Sequence, residues 1–167
     1  MTNKPFLPGY SGETIDQLLE LEGRYRRDSV VLAVEQAITQ KRARLGDSHI
    51  SDAEWVVLSV EALEREANNG GYHQFFFNPS NEFVGRIEND LRRIGWTEVA
   101  DLTSQAIAAL ELPELVPSAI QDRVVVEDDR LEEALNDLDA AYYTLAEDVA
   151  LRLLIFIREN RESFTIP

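Results

Sequence analysis

The sequence predicts an all-α fold, a single compact multi-helix domain over residues 1–167, and three observations carry that prediction. Apolar residues recur at three- and four-residue intervals through most of the chain, which is the spacing of one helix face. Ser51-Asp52-Ala53-Glu54 has the form of a helix-capping box. The one β-like run, Val124-Val125-Val126, has no alternating segment to pair with. At 44% hydrophobic side chains, 167 residues suffice for one core, and no repeat or Gly/Ser linker marks a second domain.

After a proline-containing entry, residues 14–27 carry Ile15, Leu18, Leu19 and Tyr25 on a helix weakened by Gly23. Residues 29–45 carry Val30, Val31, Val34, Ala37, Ile38 and Leu45, and Gly46 stops them. In the box that follows, the Ser51 and Glu54 side chains each accept from a backbone N–H that the first turn leaves without a partner. The helix it starts is expected to reach about Asn68. Its two apolar stripes, Val56, Val60, Leu63 and Ala67 beside Trp55, Leu58 and Ala62, predict a largely buried helix.

Asn69-Gly70-Gly71 tolerates left-handed backbone and ends that helix. Residues 72–78 add one or two short turns, with Tyr72, Phe75 and Phe76 on one side. Pro79-Ser80 restarts the chain into a helix carrying Phe83, Ile87, Leu91 and Ile94, stopped by Gly95. Thr97 is placed as the cap of the next helix, with Val99, Leu102, Ala106 and Leu110 inward, until Pro113 and Pro117 break it. The three valines lead into a long final helix. From about Asp128, Leu131, Leu135, Leu138 and Tyr142 form a stripe that Leu145, Val149, Leu153 and Phe156 continue towards Asn160.

Several functions are excluded by what is missing. With no cysteine there is no disulfide frame, thiolate zinc site or cysteine nucleophile. The first ten residues have the pattern of neither a secretory signal nor an anchor, and no apolar stretch approaches the roughly 20 residues that span a bilayer, so a cytoplasmic location is expected. His49 and His73 are separated by a whole helix and belong to no His-x-x-x-His or Glu-x-x-His pair. The acids near Asp128 lack the central glycine and alternating oxygen ligands of an EF-hand loop. The expectation is no catalytic residue, no metal and no cofactor. An enzyme would need a small-molecule site at Asn69, His73, Gln74 and Asn78, but that string reads better as a helix stop whose amides serve the turn while its rings enter the core.

Charge points elsewhere. Thirty-one acids against sixteen Lys and Arg give a net −15 and a pI near 4.4, which repels nucleic acid and anionic membranes and attracts basic proteins. Solubility explains a moderate net charge but not its placement. Residues 111–148 hold twelve acids and two arginines, net −10, leaving −5 for the rest of the chain. Between Glu127 and Asp139, seven acids and one arginine lie along roughly 20 Å of helix, about one net negative charge per 3 Å, near the roughly 3.4 Å spacing of one DNA strand. A helical wheel directs Asp129, Glu133 and Asp137 outward and places Asp128, Glu132 and Asp139 on a flank. These six with Glu127 are the candidate partner-binding residues, against the plainer reading of a solvated helix face. A homodimer would present two such rows.

At two strings the sequence resembles a family of small acidic bacterial DNA-mimic proteins. One is residues 68–80, with the pattern Asn-Gly-Gly, aromatic, x, Gln, Phe-Phe; the other is Leu138-Asp139-Ala140-Ala141-Tyr142-Tyr143, continuing through Glu159-Asn160-Arg161-Glu162-Ser163-Phe164. The resemblance spans residues 51–164, the helical core, and residues 1–50 are the N-terminal helical part of the same domain. It implies an all-α fold, no catalysis, and an acidic surface that imitates DNA phosphates to inhibit a basic DNA-binding protein, such as a helix-turn-helix transcription factor, in competition with DNA. The Asn-Gly-Gly string is a fold signature, so mimicry rests on where the acids stand. The same charge would also suit an immunity-type protein that neutralises a basic toxin or nuclease.

Overall fold

The computed structural model describes residues 4–145 and 148–166. Among these there are eight α-helices, three 3-10 helices and no strand, so the all-α prediction holds. The helices are α1 (Ile15–Leu21), α2 (Arg27–Leu45), α3 (Asp52–Phe77), α4 (Ile87–Arg93), α5 (Thr97–Ala109), α6 (Pro117–Val125), α7 (Asp129–Thr144) and α8 (Val149–Glu159). They group into two compact units, Met1–Leu58 with Asp148–Pro167, and Ser59–Glu147.

In the first unit α2 packs against α1 and α8, burying Leu18, Val30, Val34, Ile38, Leu153 and Ile157. Thr14 and Gln17 form a capping box that starts α1. The helix ends six residues before its expected stop, where the N–H groups of Arg24 and Tyr25 both turn back to the Leu21 carbonyl beside Gly23. The Ser51–Glu54 box forms as expected, with Ser51 N–H donating to Glu54 Oε2 at 2.8 Å and Glu54 N–H to Ser51 Oγ at 3.1 Å. Glu54 has a second task. Wholly buried, its carboxylate pairs with Lys41 Nζ at 2.7 Å and accepts from the Thr165 N–H at 3.0 Å, while Lys41 also donates to Thr165 Oγ1 at 2.6 Å. A local helix cap thereby holds the C-terminal segment.

In the second unit α5 packs against α4 and α7 over Tyr72, Phe75, Phe76, Leu91, Leu110 and Leu135. The backbone of α3 leaves helical geometry at Gly70 and Gly71, where the sequence predicts a stop, and Tyr72 to Phe77 form a further helical stretch. Four expectations are corrected. Pro79–Phe83 is a 3-10 helix, and the α-helix begins only at Ile87, where buried Asp90 is held by Arg86 at 2.5 Å and Ser59 Oγ at 2.6 Å. Thr97 is the first helical residue rather than the cap, a position taken by Trp96 with its ring buried. Pro117 opens α6 instead of merely breaking α5: at the first helical position its missing N–H is no loss, and burial of Ile120 and Val124 secures the helix. The long final helix is two helices, α7 ending at Thr144 and α8 starting at Val149, capped by Asp148 through the Leu151 N–H at 3.0 Å. No glycine or proline marks that break, and the apolar spacing runs on across it.

Candidate partner-binding surface

The two units divide the charge unequally. Ser59–Glu147 carries 19 acids against 6 arginines, net −13, while the other unit carries 12 acids against 10 Lys and Arg, net −2. In the near-neutral unit acids meet cations: Asp16 with Arg161, Glu22 with Arg27 and Arg158, Asp28 with Arg26, Asp47 with Arg42. In the acidic unit the buried carboxylates are satisfied inside, Glu66 by Asn78 and Ser80, Asp90 by Arg86 and Ser59. The acids of residues 111–137 other than Asp128 differ. Glu111, Glu114, Asp122, Glu127, Asp129, Glu132, Glu133 and Asp137 are exposed, and among the described residues none has a lysine or arginine partner.

The seven candidate acids fall into two groups. Glu127 stands exposed in the connector before α7, and Asp129, Glu132, Glu133 and Asp137 are exposed along the helix, so Glu132 joins the outward row instead of the flank. Leu131, Leu135 and Tyr142 are buried from the opposite face. Asp128 and Asp139 are used internally. Asp128 is the N-cap of α7: Oδ1 accepts from the N–H groups of Arg130 at 3.1 Å and Leu131 at 3.2 Å, and Oδ2 holds Arg123 at 2.7 Å. The Arg123 guanidinium, aided by the cap, holds its carboxyl below the usual aspartate range. Asp139 is half-buried and accepts from the Tyr72 N–H at 2.8 Å; burial pushes its carboxyl up, opposed by that bond.

That contact joins the two strings on which the resemblance rests. Gly71 sits at φ +73°, ψ −163°, and a Cβ there would overlap the Asp139 carboxylate, so only glycine lets α7 bring this side chain onto the backbone of α3. Around the joint, the Tyr72 ring meets Tyr142 edge-on at 6.1 Å and its hydroxyl lies 2.9 Å from Thr103 Oγ1. Tyr142 donates to Glu64, and Tyr143 to the Ala67 carbonyl. Asn-Gly-Gly and Leu-Asp-Ala-Ala-Tyr-Tyr thus lock α7 to α3 and set the direction of its acidic face. The sequence hint that Asp139 differs from Asp137 was its place in the aromatic string.

The two internal acids make opposite contributions to acid stability. The folded chain holds a proton on Asp139 up to a higher pH than the unfolded chain does, so ionisation there opposes folding, and lowering the pH through its folded titration returns that stability. Asp128 contributes stability that is present above the ordinary 3.8 and lost as pH falls through its lower folded value. A carboxyl carbon NMR titration is expected to show Asp139 protonating first. Asp139 titrating below Asp128 would contradict its inward placement.

His73 is exposed; its Nε2 lies 3.1 Å from the Val124 carbonyl, to which it donates as the Nε2–H tautomer, and its ring stacks on Phe77 at 6.3 Å. It lines a cavity of about 360 Å³ formed with residues 124–128, Leu131, Glu132, Leu135 and Asn136. Of Asn69, His73, Gln74 and Asn78, only His73 lines that cavity; Asn78 donates to Glu66 at 2.8 Å. Among the described residues no group of three or more His, Cys, Asp or Glu could hold a metal ion, and no helix is long and apolar enough to cross a membrane.

No curated protein and no solved structure matches the chain significantly. Residues 48–160, which run from before α3 to just beyond α8 and include the joint and the acidic face, match the family described as DMP19-like protein. The match covers well over half of the sequence, and the chain belongs to the DMP19-like protein family, a family of DNA mimics.

Proposed function

We propose that the chain is itself an acidic DNA mimic. The carboxylates of Glu127, Asp129, Glu132, Glu133 and Asp137 take the place of phosphates on the arginines and lysines of a basic DNA-binding protein, such as a helix-turn-helix transcription factor, and compete with DNA for it. The observation that carries this reading is the exposed acidic row with no lysine or arginine partner among the described residues, in a chain whose other unit pairs most of its acids. An unpaired carboxylate can take an incoming guanidinium without first giving up a cation of its own. Asp128 and Asp139 serve the row by capping and anchoring α7, and Glu111, Glu114 and Asp122 extend its field. On this reading the protein is a bacterial, cytoplasmic inhibitor in transcription regulation and works without catalysis. A homodimer would double the row.

The test is displacement of helix-turn-helix regulators from fluorescent duplex DNA, followed by anisotropy at low and high salt. The wild-type chain is expected to displace a regulator at low salt and to lose that ability as salt screens the contacts. The triple variant Asp129→Asn, Glu133→Gln, Asp137→Asn should do so about tenfold less well, since exposed ion pairs contribute roughly 0.2–1 kcal/mol each. Its thermal melt should be unchanged. Undiminished displacement by the triple variant would refute the acidic row, and selective neutralisation of a basic nuclease would move the chain to the immunity-type role.

A further inference from the structure

The cavity beside His73 offers something a row of carboxylates lacks. Val124, Leu131 and Leu135 are buried along it, while Val125 and Val126 stand at its edge 57% and 61% exposed, the most exposed large hydrophobic residues of the described chain. Glu127 and Glu132 line the same cavity and hold no cation among the described residues. At about 360 Å³ it lies near the small end of the roughly 300–1,000 Å³ typical of ligand pockets, a size suited to one or two side chains. A slot that five apolar residues share with His73, Asn136 and three acids, of which Glu127 and Glu132 are unpaired among the described residues, complements an apolar side chain flanked by arginine or lysine. DNA offers a comparable pairing where thymine methyl groups lie between phosphates.

We infer that this slot seats an apolar side chain of a basic α-helix on the partner, while neighbouring Arg or Lys residues of that helix pair with Glu127 and Glu132. The inference rests on the proposed function, in which the partner is a basic protein. It adds a second, salt-insensitive component to recognition. The acidic row attracts any cationic surface; the valine slot selects one with a correctly placed apolar residue.

The probes are two synthetic helical peptides of about 18 residues with identical lysine and arginine positions, one carrying leucine on a single face and the other alanine at the same places. Binding to the full chain is measured by anisotropy at low and high salt. The leucine peptide is expected to bind about tenfold more tightly, an advantage that survives added salt because it comes from apolar burial. Val125→Ser with Val126→Ser should erase that advantage and leave the alanine peptide unaffected. The ring signals of His73 should move with the leucine peptide while those of His49, the other histidine, stay in place.

Equal affinity for both peptides, or a leucine preference that persists in the valine variant, overturns the slot. If the triple acid variant still weakens both peptides in that case, the acidic row stands without it. If the acid variant binds both peptides as wild type does while the leucine preference depends on the valines, the slot stands and Asp129, Glu133 and Asp137 are removed from the row. A chain that is dimeric until the valines are changed, with no leucine preference, assigns the slot to a second copy and overturns the proposal.

Discussion

Gly71→Ala is expected to destabilise the protein by about 3–5 kcal/mol. Its φ of +73° with ψ −163° lies in a region open essentially to glycine alone and costs an L-residue roughly 1–3 kcal/mol, and the new methyl must displace the Asp139 carboxylate, breaking a charge-assisted hydrogen bond contributing about 1.5–3 kcal/mol. Urea unfolding at neutral pH measures the loss as a lowered midpoint. Gly70→Ala is the matched control. Gly70 lies at φ −179°, extended backbone open to any residue, and its Cβ would meet only the flexible Gln74 side chain at 3.0 Å, so its effect should be under about 1 kcal/mol. Two companions separate the causes. Asp139→Ala leaves the Tyr72 N–H without its acceptor and should cost about 1–3 kcal/mol; Asp139→Asn keeps an acceptor oxygen, removes a partly desolvated charge, and should be close to neutral. Equal losses for Gly70→Ala and Gly71→Ala would contradict the joint described here.

Glu54→Gln is expected to lower stability by about 3–5 kcal/mol although glutamine can still complete the capping box. The loss comes from Lys41, which is 3% exposed and would be left buried without the carboxylate that pairs with it. Lys41→Met alone should be similarly harmful by stranding the carboxylate. The double variant should recover most of either loss, because replacing both members of a buried pair removes the uncompensated charge. Amide exchange at Thr165 should rise in Glu54→Gln, since its N–H donates to the same carboxylate. Additive losses in the double variant would show that the pair is not the source of the effect.

Both cases show what a sequence can and cannot reveal. The Ser51–Glu54 box is a contact over three residues, so its geometry follows from helix periodicity alone, and it forms as read. Lys41 is 13 residues from Glu54 and Thr165 is 111 residues away, separations at which no local pattern applies. The Asn-Gly-Gly stop is legible because glycine permits the required dihedrals. The need for glycine at position 71 in particular comes from Asp139, brought in by another helix. In the sequence Pro117 reads only as a breaker, for a related reason: proline both ends one helix and begins the next, and the burial of Ile120 and Val124 shows that it begins one here.

By itself the sequence determined an all-α chain, the start of α3, the break at Gly70 and Gly71, and an excess of acid concentrated in residues 111–148. These depend on composition, periodicity and hydrogen bonds within a turn or two. The tertiary structure decided which acids remain available. Asp137 and Asp139 are chemically identical and two residues apart, yet one faces water and the other is bonded to Tyr72 N–H; Glu132, expected on the flank, is exposed. A helical repeat fixes the angle between side chains but not which neighbour covers each angle. That is set by the packing of α7, locked to α3 through Gly71, and it separates carboxylates that hold the fold from those free to meet a partner.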